Sequence, residues 1–342
     1  MTQHARNWTL AAGLGASGLL AWSAMRRRPG MDVRGKVVMI TGGSRGLGLE
    51  LAREFGARGA SVAICSRDEA ELDRAARDLS SRGITVHHGV CDVSSQSQVE
   101  NFVQETLRDA GAVDILVNNA GVIQVGPLAK MTIADFQNAM DVMFWGTLYP
   151  TLAVLPYMRE RGAGRIVNVT SIGGKISIPH LLPYSCAKFA AVALSEGLRA
   201  ELAPAGIKVT TVVPGLMRTG SHLNALFKGQ QEKEYAWFSL GAATPLVSIS
   251  SKRAARSIVQ AAIRGDAELT LSALAVIAST VQGIAPQFVS MVSSVVQRIL
   301  PSQGRHVEPV RGAEAKARLN SQLLNAANFA GERAAQGLNQ IA

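Results

Sequence analysis

From Lys36 onward, short runs of apolar and β-branched residues alternate with amphipathic segments. Val37-Val38-Met39-Ile40, Ser61-Val62-Ala63-Ile64, Thr85-Val86, Ile115-Leu116-Val117, Arg165-Ile166-Val167-Asn168-Val169 and Lys208-Val209-Thr210-Thr211-Val212-Val213 each precede a stretch with helical spacing. Strands that are apolar at successive positions need cover on both faces, and intervening helices supply it. The chain is therefore predicted to be α/β, with a doubly wound parallel sheet (Rossmann fold) in a single domain over residues 31–271. A last strand is expected near Glu268 to Leu271. Ligands of such sheets sit beyond the carboxyl ends of the strands, so the residues after each run carry the interest.

The chain has 342 residues, enough for one large core with extensions and too few for two enzymatic domains. Its net charge of +10 comes from scattered basic residues, apart from Arg26-Arg27-Arg28 and the Lys252-Arg253/Arg256 group. With no nucleic-acid module beside them, a solvated basic surface is expected and no nucleic-acid partner. The three cysteines, Cys65, Cys91 and Cys186, lack metal-ligand spacing, so no metal site is expected; Cys186 is read as a small buried thiol.

Apolar sequence is concentrated at the two ends. Residues 8–25 are uncharged and rich in Gly, Ala and Leu, and the triple arginine follows at once, so residues 1–30 are read as a membrane anchor or a leader. Residues 272–304 are expected to form two helices divided at Gly283 and Pro286. The second carries Phe288, Met291, Val292, Val295, Val296 and Ile299 on one face, suited to core packing, a subunit contact or a membrane surface. Residues 305–342 form a polar tail, expected as a peripheral helix or disordered.

After the first strand comes Thr41-Gly42-Gly43-Ser44-Arg45-Gly46-Leu47-Gly48, and then a helical pattern. Glycine lets the backbone turn sharply and approach a pyrophosphate, whose charge meets the positive end of the helix dipole. An NAD enzyme is expected to end its second strand with an acid for the adenosine ribose; here stand Ser66 and Arg67. Losing that carboxylate removes repulsion of a 2′-phosphate, and Arg67 and Arg45 offer it guanidinium partners, so the expected cofactor is NADP(H). Asp92 and Val93 follow the third strand, and Asn118-Asn119-Ala120-Gly121 closes the fourth.

Thr41-Gly42-x-x-x-Gly46-x-Gly48, Asp92, Asn118-Asn119-Ala120-Gly121, Ser171, Tyr184-x-x-x-Lys188 and Pro214-Gly215-x-x-x-Thr219 occur in this order, and over roughly residues 34–270 the chain resembles the short-chain dehydrogenase/reductase family. The resemblance implies that Asp92 contacts the adenine, that Asn118, Asn119, Ala120 and Gly121 support the cofactor strand, and that Pro214, Gly215 and Thr219 border the nicotinamide. It implies hydride transfer between NADP(H) and a carbonyl or alcohol, with Ser171, Tyr184 and Lys188 as catalytic residues.

The chemistry of that trio can be argued on its own. Tyr184 and Lys188 are four apart on a helix and share a face. A tyrosine of pKa about 10 becomes a usable acid/base when a nearby ammonium favours the phenolate, so Lys188 is its expected electrostatic partner and also a holder of the nicotinamide ribose. Tyr184 then exchanges the proton at the substrate oxygen and Ser171 donates a second hydrogen bond.

Asp141-Val142-Met143-Phe144-Trp145-Gly146 departs from the resemblance, which implies an asparagine at position 143, joined to the lysine through a water. A thioether accepts hydrogen bonds weakly. Either a backbone carbonyl keeps that water or proton relay is impaired. The resemblance implies that residues 221–240 form the substrate lid, and their Leu223, Leu226, Phe227, Tyr235, Trp237 and Phe238 suit a lipophilic small molecule or simple packing. His180 is given no role. The expected setting is cytoplasmic, with a membrane surface and a homo-oligomer as further candidate partners. The alternatives are an NADP sensor and a membrane-attached interaction protein.

Overall fold

The computed structural model describes residues 30–243, 248–319 and 334–340. The apolar residues 8–25 and the triple arginine lie outside them.

The central sheet has seven parallel strands. In chain order these are β1 (Val37–Thr41), β2 (Ser61–Ser66), β3 (Val86–Val90), β4 (Ile115–Asn118), β6 (Gly164–Val169), β7 (Ile207–Val213) and β11 (Glu268–Thr270). Their spatial order is β11-β7-β6-β4-β1-β2-β3. Growth from β1 runs outward through β2 and β3, then reverses through β4, which opens a crevice between the carboxyl ends of β1 and β4. The strand runs read from sequence all recur. β3 extends past Thr85-Val86 because an edge strand, half solvated, accepts His87 and His88 in its apolar pattern.

Helices cover both faces, as continuous apolar strands require. On one side α1 (Gly46–Gly56), α2 (Glu69–Ser81) and α8 (Ser251–Arg264) bury Leu49, Phe55, Leu72, Leu79 and Ile258 against Val38, Ile40 and Ile64. On the other, α3 (Gln96–Ala110), α5 (Gly146–Glu160) and α6 (Leu182–Leu202) bury Phe102, Val154, Met158 and Ala187 against Met39, Leu116 and Ile166. Between β4 and α5 the chain forms the short β5 (Gln124–Val125), α4 (Ile133–Met140) and a π-helical turn over Asp141–Trp145.

The expected lid is a small folded layer rather than a loose loop. After β8 (Leu216–Arg218) come β9 (Leu226–Gly229) and α7 (Gln231–Ala243), with Phe227, Tyr235 and Phe238 packed among Val125, Leu181 and Ala315 in a third core cluster. The lid aromatics therefore serve mainly as packing. β10 (Ser248–Ser250) pairs with β8.

Two helices do form, α9 (Ala273–Ile284) and α10 (Pro286–Ile299), meeting at a bend of 120°; the break falls at Ala285 before Pro286, while Gly283 lies inside α9. Among the described residues no single helix is long and apolar enough to cross a membrane. In the described part of the tail the expected helix is α11 (Gly312–Leu319), and a strand not read from sequence precedes it: β12 (His306–Arg311) adds antiparallel to β9. Charges and Pro309 hide this strand in the sequence, and it forms because β9 has a free edge.

Candidate active site

The glycine-rich turn fits a dinucleotide. Gly42 and Gly46 have φ of +63° and +59°, which L side chains adopt poorly. Gly48 is required for another reason: an added Cβ would lie 2.1 Å from the Gly42 carbonyl oxygen. Gly48 and Thr41 brace the turn from behind, the latter accepting through Oγ1 from the amides of Asn119 (3.0 Å) and Ala120 (3.2 Å). Gly42, Ser44, Arg45, Gly46, Leu47, Asn119, Ala120 and Gly121 line a cleft of about 760 Å³. α1 has no side-chain cap, and its first amide, that of Gly46, donates to the Leu338 carbonyl (2.8 Å).

At one end of the cleft Ser66 ends β2 and Arg67 follows it, and Asp92 and Val93 come after β3. Arg67 is largely exposed, 3.9 Å from the Asp92 carboxylate. The Asp68 carboxylate, which also lines the cleft, accepts from the Glu71 amide through Oδ1 (2.8 Å) as the N-cap of α2. Arg45 is not free as the sequence suggested. Its guanidinium donates to Glu71 (2.8 Å), whose other oxygen accepts from Ser44 Oγ (3.1 Å).

At the other end the structure brings Ser171, Tyr184 and Lys188 together, with Pro214, Gly215 and Thr219 on the same wall. Ser171 follows β6, where its Oγ accepts from the Gly173 amide (3.0 Å), and the adjacent Ile172 amide donates to the Pro214 carbonyl (2.8 Å). Tyr184 and Lys188 lie on the first turns of α6. Behind them a buried chain of polar groups fixes the strands: Asn118 donates to Asn168 (2.9 Å) and Thr151 (3.1 Å), and Asn168 to Ser195 (3.0 Å).

The electrostatics differ from the expectation that Lys188 lowers the tyrosine pKa. Burial pushes the Tyr184 phenol up, opposed by a hydrogen bond from Ser171. The Lys188 ammonium stands 5.9 Å from the ring centroid and donates instead to the Val169 carbonyl (2.8 Å). The same burial lowers Lys188 to about 8.

Met143 is buried within the π-helical turn, and its thioether and Lys188 Nζ both approach Gly121: a Cβ built there would lie 3.9 Å from each. The Met143 carbonyl accepts from Thr147 Oγ1 (2.9 Å).

Other residues were not legible beforehand. Glu71 faces the adenosine end, while Asn224 and Gln340 also line the cleft. His180, read as a loop residue without a role, is buried with φ +63°, its Nδ1 2.8 Å from Glu234 of α7 and its Nε2 3.1 Å from Gln297 of α10. Glu234 also accepts from Trp237 Nε1 (2.7 Å). Cys186, expected to be buried, is exposed on the outer face of α6.

Residues 36–227 match the family described as short chain dehydrogenase. "Dehydrogenase/reductase SDR family member 7B" of Danio rerio is 38% identical over 208 residues, 59% of this chain and 67% of that one. "11-beta-hydroxysteroid dehydrogenase A" of Sesamum indicum is 36% identical over 248 residues, 70% and 69% of the two chains. Among solved structures, a gluconate 5-dehydrogenase from Burkholderia cenocepacia J2315 in complex with NADP and tartrate superposes with a TM-score of 0.63 at 28% identity, over 71% of this chain and 96% of that one. With its seven-stranded parallel sheet and glycine-lined crevice, this chain belongs to the short-chain dehydrogenase/reductase family of oxidoreductases, which transfer hydride between a nicotinamide dinucleotide and an alcohol or ketone group.

Proposed function

We propose that the protein is an NADP(H)-dependent reductase of a lipophilic carbonyl, working in the cytoplasm against a membrane surface. The observation that carries the reading is the convergence of Ser171, Tyr184 and Lys188 at one end of a cleft whose other end is the glycine turn. The bound dinucleotide supplies the hydride. The chain supplies the proton and the electrostatics. Burial keeps the proton on Tyr184 at neutral pH, so the phenol is set to protonate a substrate oxygen as negative charge develops there. Ser171 donates a hydrogen bond to the same oxygen. With a pKa of about 8, Lys188 holds its positive charge at neutral pH beside the tyrosine. This protonation pattern favours the reducing direction.

Preference for NADP(H) rests on Ser66 at the end of β2, Arg67 after it, and the use of Asp68 as a helix cap. The cofactor in the Burkholderia structure supports it by analogy. Val122, Ile178, Leu181, Met217 and Phe238 line the cleft with Tyr184 and support an apolar substrate. The sesame relative, a hydroxysteroid dehydrogenase by name, is in keeping with that class. Membrane proximity rests on α9 and α10, whose Ile277, Ile284, Phe288, Met291, Val295 and Ile299 are exposed, each by half or more.

The test is NADPH and NADH oxidation against aldehydes and ketones graded in size and polarity. Turnover is expected with NADPH and to rise towards long-chain or steroid-sized carbonyls. Arg67→Ala should raise KM for NADPH about tenfold, with little change for NADH. Faster turnover of short polar carbonyls would overturn the substrate class, and equal use of NADH the cofactor preference. The buried Met143 thioether beside Lys188 favours one second reading, a dinucleotide sensor; tight NADPH binding without hydride exchange on any carbonyl would establish it.

A further inference from the structure

Residues 334–340 pack beside the glycine turn, and Gln340 lines the cleft, far in sequence from everything else that forms it. The Leu338 carbonyl accepts from the Gly46 amide at 2.8 Å. That amide is the first of α1, one of the donors that no residue of the helix can satisfy and that would otherwise point at an anion. Gln340 presses on the same spot: a Cβ built on Gly46 would lie 2.6 Å from its Nε2.

The segment is held at both ends of the cleft. Towards the adenosine end, the Asn339 amide donates to the Ser44 and Glu71 carbonyls at 2.9 Å each, and its oxygen accepts from Arg74 at 2.8 Å. Towards the substrate end, Asn224 donates to the Gln340 backbone carbonyl (3.0 Å) and side-chain oxygen (2.7 Å). Ala335 sits against Gly220, where an added Cβ would come within 2.4 Å of its own. The strap thus links the glycine turn to the lid layer, with Gln340 on the cleft wall and the Leu338 carbonyl on the first amide of α1.

We propose that residues 334–340 are an autoinhibitory strap that occupies the pyrophosphate position in the cofactor-free protein and is displaced when the dinucleotide binds. The inference rests on the dinucleotide-binding reading of the cleft. One amide hydrogen cannot serve the Leu338 carbonyl and a phosphate oxygen at full strength, so strap and cofactor exclude each other at Gly46. A strap closed ten times as often as it is open weakens apparent cofactor affinity about tenfold.

Asn339→Ala removes the side-chain bonds to Ser44, Glu71 and Arg74 and leaves a less tolerant residue at φ +55°. Gln340→Ala removes the side-chain bond from Asn224 and the pressure on Gly46. Fluorescence titration of the full-length variants with NADPH and with NADH should give a Kd about tenfold lower than wild type for Asn339→Ala and lower in the same sense for Gln340→Ala. Saturating NADPH should raise amide hydrogen exchange in 334–340 of the wild type while lowering it in 42–48. Unchanged or weaker binding by both variants, or greater protection of 334–340 with cofactor, would overturn the strap. Binding of neither dinucleotide by any of the three proteins would overturn the cofactor reading itself, and the strap with it.

Discussion

Lys188 and Tyr184 experience the same burial with opposite consequences. The low-dielectric site disfavours each charged form, so the phenol keeps its proton and the ammonium is weakened. If Lys188 must be charged for proton delivery, kcat/KM for carbonyl reduction should fall as pH rises through about 8, a profile that steady-state kinetics would resolve. The stability consequence has a definite sign. Lys188 is lowered from its ordinary 10.5 to about 8, so between those values the unfolded chain binds the extra proton and stability rises with pH. Below about 8 both states are charged and the burial penalty is present in full. Lys188→Met should therefore stabilise the cofactor-free protein at pH 7, on the order of 2 kcal/mol by chemical denaturation, while activity is lost. Met143→Asn, which restores an amide beside Lys188, should raise kcat without loss of folded protein; equal or lower turnover would show that the Met143 carbonyl already does that work.

At the scale of elements, what could be read from sequence was what local spacing encodes. The inner strands of the central sheet are apolar runs buried on both faces, and the shared face of Tyr184 and Lys188 follows from helical spacing, while their roles came from the family resemblance. Contacts between distant segments carried no such signal. His180 meets Glu234 across 54 residues and Gln297 across 117, and Asn339 reaches Ser44 across 295. β12 was hidden because an edge strand with Pro309 and charges lacks an apolar run, and Arg45 looked free because Glu71 is a helix residue with no motif of its own. The His180–Glu234 pair ties the loop before Tyr184 to α7 and α10, so its loss should loosen the catalytic helix start as well as the lid. His180→Ala leaves the Glu234 carboxylate buried without its imidazole partner and should lower unfolding free energy by about 3 kcal/mol, with a larger fall in kcat than in cofactor affinity.

At the scale of the whole molecule, the catalytic sheet is closed in by sequence that follows β7: the lid layer, β12 and the strap pack back towards the carboxyl ends of the strands. The exposed apolar faces of α9 and α10 lie outside that closure. If they rest on a membrane, Phe288→Asp with Met291→Asp should abolish co-sedimentation with anionic lipid vesicles and leave turnover of a water-soluble carbonyl unchanged; retained vesicle binding would place the contact elsewhere. The central claim is that a dinucleotide-bound hydride and the Tyr184 proton reach one carbonyl in this cleft. Single-turnover oxidation of NADPH with a lipophilic ketone, wild type against Tyr184→Phe, tests it most directly. The account predicts that the variant binds NADPH with unchanged affinity and reduces the ketone at least about 100-fold more slowly; a variant that reduces it at the wild-type rate would contradict the account.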